Sequence, residues 1–177
     1  MITIDMAPRA ATSSLSTSAL TRFLNRARAT ISLRGEVDIL LANDQTLRQL
    51  NKTFRGKNKP TDVLSFPAPS AFAKKHAGDL AISLETAARQ AHTHGHTLGD
   101  EIKILILHGL LHLAGEDHET DSGEMATREA ILRRELRLPA TLIERSTKTT
   151  TKNQRNTIKK PSGTTQKSPR KSRRGAK

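Results

Sequence analysis

Cysteine, tyrosine and tryptophan are absent, and phenylalanine occurs only 4 times in 177 residues. Without cysteine there is no disulfide, no thiolate nucleophile and no Cys-ligated zinc or iron–sulfur cluster, so any metal must be held by imidazole and carboxylate. The same lack fits a reducing compartment, and a cytoplasmic location is expected. So few aromatics nearly exclude base stacking on aromatic platforms as the way a nucleic acid is recognised, which leaves backbone charge and site shape to do most of it. Long apolar runs are missing as well. The greasiest stretch, Ile102 to Ala114, is interrupted by Lys103, His108 and His112 and falls short of the roughly 18 residues of a membrane span, so no membrane partner is expected.

Acidic residues are unevenly missing. The chain carries 30 Lys and Arg against 17 Asp and Glu, a net of +13, yet no acid follows Glu144. Residues 146–177 hold 11 of the basic side chains, which leaves residues 1–145 with 19 basic against 17 acidic. A nearly neutral body therefore precedes a cationic end. Beyond Glu144 the only apolar residues are Ile158 and Ala176, too few to offset chain entropy by burial, so residues 139–177 are expected to form a disordered basic tail after one domain spanning 1–138. Such a tail suits contact with RNA phosphates as well as it suits solvation. Acids are also lacking between Asp5 and Glu36, a stretch rich in Ser, Thr, Ala and Arg that resembles a transit peptide in composition. Against that reading, Ile2, Ile4 and Met6 alternate as in a half-buried strand.

Periodicity places the remaining elements. Leu20, Phe23, Leu24, Ala27 and Ile31 mark one helix face, with Ser16 or Ser18 as its cap. Val37 to Ala42 reads as a strand, and Asn43 caps a helix over Asp44 to Phe54 with Leu47, Leu50, Asn51 and Phe54 on one side. A loop through Gly56 and Pro60 leads to strands Asp62–Phe66 and Gly78–Leu84, adjacent in a way that suggests an antiparallel pair in a mixed sheet. Ser83 caps a helix that Gly95 ends. The helix from about Leu98 to Ala114 is apolar nearly all round, which predicts a buried central element. Asp121 and Glu124 resemble the capping signature of a last helix, to about Leu136, whose apolar positions include Met125, Ile131, Leu132 and Leu136. The expected fold is α/β (α+β), a small mixed sheet flanked by helices.

The residues with chemistry sit at the end of that central helix, in His108-Gly-Leu-Leu-His112-Leu-Ala-Gly115-Glu-Asp-His118. His108 and His112 are one helical turn apart and share a face. Gly115 lets the chain leave the helix through a left-handed conformation and bring His118 back toward them. Three imidazoles with an open fourth position are the ligand set of catalytic zinc, whose bound water is acidic enough to give hydroxide near neutral pH. Two imidazoles buried without partners would each cost about 1–3 kcal/mol, and one metal satisfies both. The offsets also match the metzincin zinc proteases, but their general-base Glu follows the first His, where this chain has Gly109. A metallopeptidase-like hydrolase is thus the alternative, with Glu116, Asp117 and Glu101 as substitute bases. A non-catalytic RNA-binding assembly factor with a structural zinc is a third reading. His92, His94 and His96, around the helix-ending Gly95, stay outside the expected metal shell.

The run His108 to His118 resembles the His-Gly-x-Leu-His-Leu-x-Gly-x-Asp-His signature of the YbeY family of bacterial rRNA-maturation endoribonucleases. A second block, Leu50-Asn51, Phe54-Arg55 and Pro60-Thr61-Asp62-Val63-Leu64-Ser65-Phe66-Pro67, is similar to the family's other signature, and Gly78 to Ser83 and Gly95-His96 with Glu101 follow in order. The resemblance covers residues 1–138. It implies one Zn²⁺ held by His108, His112 and His118, with Arg55 as the functional, substrate-binding arginine and His108 as the essential first histidine. It also implies cleavage of single-stranded RNA, a role in 16S rRNA 3′-end maturation and late-stage 70S ribosome quality control, and the small ribosomal subunit as partner. Glu116 departs from the pattern, since the family commonly has an aromatic residue there. On physical grounds Arg55, on a Gly-containing loop, suits a two-pronged grip on phosphate oxygens, and Asp117 is a candidate to orient a ligand histidine.

Overall fold

The structure, a computed structural model, describes residues 1–4 and 15–139. The residues of the expected basic tail from 140 onward, and Met6 of the expected first strand, lie outside the described residues.

Four strands, β1 (Ile2–Ile4), β2 (Glu36–Ala42), β3 (Val63–Pro67) and β4 (His76–Ser83), form one sheet in the order β1-β2-β4-β3. β2 runs parallel to β1 and to β4, with Ile39 opposite Ile2 and Leu80, while β3 is antiparallel to β4 with Val63 opposite Ile82. The sheet is therefore mixed, as expected. Strand alternation divides its residues between two faces. Val37, Ile39, Leu41, Leu80 and Ile82 enter the main core, and Leu40, Ala42, Leu64 and Ala81 enter a smaller cluster.

The main core is closed by α1 (Thr17–Thr30), α3 (Leu84–His94), α4 (Leu98–Leu113) and α5 (Glu124–Glu135), and Leu47 of α2 (Asp44–Arg55) fills the smaller cluster. α4 is the central element. Ile102, Ile106, Leu107, Leu110 and Leu111 are fully buried on it, each worth about 1.5–3 kcal/mol of transfer free energy. That burial fixes α4 rigidly against β3 and β4, so its C-terminal end is a firm place to mount ligands.

Local capping follows the sequence closely. Ser16, Asn43 and Ser83 each accept the N–H of the residue three positions on, as N-caps should. α5 differs: its cap position is Gly123, at φ +102°, with no side-chain bond of its own. Asp121 stands two residues earlier and accepts the N–H groups of Gly123 and Met125 at 2.9 and 2.7 Å. The expected signature thus works from outside the helix. Two apolar residues assigned to helix faces also point outward, Phe54 and Ile131, at 64% and 51% exposure.

Candidate metal centre

α4 delivers His108 and His112 on one face, with ring centroids 4.8 Å apart. The helix then ends in a Schellman closure: Glu116 N–H donates to the Leu111 carbonyl and Gly115 N–H to that of His112, both at 3.0 Å. Gly115 takes φ +91°, which a side chain would disfavour. The turn returns His118 so that its ring lies 5.1 Å from each of the other two. The three expected ligands are brought together.

The donor atoms fit a zinc ion. His108 Nε2 and His112 Nε2 face each other at 3.1 Å, and one nitrogen from each of the three rings lies within 4.8 Å of the others. A tetrahedral zinc with nitrogens about 2.0–2.1 Å away holds them roughly 3.3 Å apart. Protonation is arranged in the same sense. Glu129 Oε2 lies 2.8 Å from His108 Nδ1, so that nitrogen carries the proton and the Nε2 lone pair is left facing the other rings. Burial, then the neighbouring His108 and His118, holds the His112 pKa below the ordinary imidazole value, favouring the neutral, ligating form.

Glu129 was not legible as a site residue, and it, rather than Asp117, is the carboxylate that stands behind one of the three histidines. Asp117 instead accepts the N–H of Glu119 at 3.0 Å. Glu129 is buried on α5, where it also pairs with Arg133. Burial pushes its carboxyl pKa up, but the bond to His108 and the Arg133 charge outweigh this and hold it low. One signal was available: Met125, Leu132 and Leu136 form the buried stripe of α5 and its C-cap, and Glu129 interrupts that stripe with an acid.

The histidines open into a cleft of ≈ 970 Å³ whose other wall includes Phe54, Arg55 and Phe66. Arg55, the last residue of α2, is 47% exposed and, among the described residues, pairs with Glu119 across the cleft, Nη2 to Oε1 at 3.4 Å. Such a contact is weak, and a phosphate can displace it. The loop after Arg55 is pinned by buried Asn51, whose Nδ2 donates to the Lys59 carbonyl at 2.8 Å. Glu116, the departure from the family pattern, pairs with Arg128 of α5.

Gly109 has a steric reason. A Cβ there would stand 2.7 Å from Leu80 Cδ2 and 3.3 Å from Ser65 Oγ, in a core where Leu80 is buried. The position that carries the general base of metallopeptidases is thus where α4 packs directly on the sheet. Away from the site, His96 Nδ1 meets the buried Glu101 at 3.1 Å with His94 beside it.

Comparison with known proteins agrees with this geometry. The model of the family described as Endoribonuclease YbeY matches residues 4–137. The chain belongs to the YbeY family. It is 52% identical over 134 residues to Endoribonuclease YbeY of Koribacter versatilis, covering 76% of this chain and 86% of that one. It is 47% identical over 137 residues to that of Solibacter usitatus, covering 77% and 90%. The solution structure of TM1509 from Thermotoga maritima matches with a TM-score of 0.52 at 26% identity, covering 77% of this chain and 89% of that one. As a YbeY protein the chain is an endoribonuclease, a hydrolase of RNA phosphodiester bonds. The described residues contain no helix long and apolar enough to cross a membrane.

Proposed function

We propose that His108, His112 and His118 hold one Zn²⁺ and that the cleft they open into cleaves single-stranded RNA, in the 3′-end maturation of 16S rRNA and in late-stage 70S ribosome quality control in the cytoplasm. The observation that carries this is the convergence of three imidazole nitrogens, one ring backed by Glu129, in a cleft also lined by half-exposed Arg55, whose pairing with Glu119 is weak. Bound there, zinc supplies a Lewis acid and a water acidic enough to act as nucleophile near neutral pH. His108 is the first ligand and is held in one tautomer by Glu129. Arg55 grips non-bridging oxygens of the scissile phosphate, leaving Glu119 as it does so, and holds the phosphate in line for attack. Peptide hydrolysis is disfavoured because the cleft lacks a glutamate at position 109 and packing leaves no room for one.

On this reading residues 1–138 are the catalytic domain, and the basic residues from 139 onward add contact with RNA phosphates or the small ribosomal subunit. That contribution weakens steeply with added salt, because each phosphate contact releases counterions. The test is cleavage of a single-stranded oligoribonucleotide by the purified full chain, with and without a chelator, alongside circular dichroism. Cleavage lost on chelation with the fold intact supports the proposal. Cleavage that persists without metal, or chelation that unfolds the chain, contradicts it.

A further inference from the structure

Aromatic side chains are scarce here, yet two of the 4 phenylalanines line the cleft that holds the three histidines and Arg55. Phe66 packs on the smaller core cluster and braces Phe54, with ring centroids 5.1 Å apart in an edge-to-face pair at 68°. Phe54 is nevertheless 64% exposed. A large apolar ring is thus held upright in water, directly before the arginine that faces the cleft. Chain folding gains nothing from that exposure, whereas a ligand with a flat apolar face does.

We propose that Phe54 is a nucleobase-stacking subsite that selects unpaired nucleotides next to the scissile phosphate. This rests on the endoribonuclease reading of the cleft and supplies what charge alone does not. Every base has a π-face, so the subsite tolerates any sequence. A base inside a duplex is already stacked on its neighbours and has no face to offer, so the subsite rejects double-stranded RNA. Arg55 and Phe54, adjacent on α2, then read one nucleotide together, the phosphate by charge and the base by stacking. This revises the expectation from composition, because the position of the few aromatics matters more than their number.

The test uses the full chain, a short single-stranded oligoribonucleotide, and a set of the same oligonucleotide with one base at a time replaced by an abasic ribose. Phe54→Ala raises KM on the order of tenfold, and Phe54→Tyr or Phe54→Trp restores it. At the abasic position that weakens the wild type most, wild type and Phe54→Ala become equal, which a merely structural role of Phe54 does not produce. Phe54→Trp also installs the sole tryptophan of the chain, and its emission is quenched by the intact oligonucleotide but not by the abasic one. Phe72→Trp, at an exposed position outside the cleft, shows no such change. Wild-type cleavage with unchanged KM in Phe54→Ala, or equal losses on every abasic substrate, overturns the stacking subsite alone. A wild type that neither binds nor cleaves RNA overturns the endoribonuclease reading of the cleft, and the subsite with it.

Discussion

Glu129 ties the chemistry of His108 to a residue 21 positions away, Nδ1 to Oε2 at 2.8 Å. Carboxylates behind ligand histidines fix tautomer and raise basicity, and losing one typically weakens metal binding about 10–100-fold. Glu129→Gln is expected to lower zinc affinity by that factor, measured by competition with a chromogenic chelator. Unchanged affinity would mean that the contact plays no part in binding. Arg55 separates from the metal in the opposite way: Arg55→Ala keeps zinc and loses RNA cleavage, while His112→Ala loses both, read by metal content and an oligonucleotide assay. The three histidines were legible because helix period and one glycine suffice to bring them together. Glu129 was not, since its contact depends on how α5 docks against α4, which no local pattern encodes.

Among the elements, α4 was the most legible, since a helix apolar on every side has to be central. Its close approach to the sheet is set by Gly109, which packs against Leu80 and Ser65. Gly109→Ala forces Leu80 to move within a filled core and is expected to cost about 1–3 kcal/mol, seen as a lower urea midpoint with an unchanged slope. A stability equal to wild type would show that the interface is looser than described. Phe54 and Ile131 differ from the periodic reading for separate reasons: Ile131 lies off the stripe of Met125, Glu129, Leu132 and Leu136 that α5 buries, and Phe54, near the end of α2, lines the cleft. The cap of α5 lies two residues beyond the expected one because Asp121, in the preceding turn, reaches the Met125 N–H that a side chain at the cap position would take.

Across the whole molecule, carboxylates stitch separate layers together, so acid should loosen it. Asp62, just before β3, accepts from the Gln90 side chain of α3 at 3.0 Å, from Val63 N–H at 2.9 Å and from the Thr61 hydroxyl at 3.0 Å. Burial pushes its pKa up, but these bonds together outweigh burial and hold it below the ordinary value. Its folded pKa is depressed, so its contribution is present above the unfolded value of about 3.9 and is lost as pH falls through the folded one. Urea midpoints taken between neutral pH and the low carboxylate range should fall, and Asp62→Asn should flatten that fall. An identical acid limb in the variant would contradict the assignment. The mixed character of the sheet was legible from the adjacent strands that became β3 and β4. The order β1-β2-β4-β3 was not, because alternation shows which face a residue takes but not which strand lies beside it.

Metal content is the direct test of whether this geometry makes an enzyme. Elemental analysis of the purified full chain, wild type beside His112→Ala, should find one zinc per chain in the first and none in the second, with RNA cleavage following the metal. A wild type that cleaves RNA without stoichiometric transition metal, or a His112→Ala chain that keeps its zinc, would contradict the proposed centre.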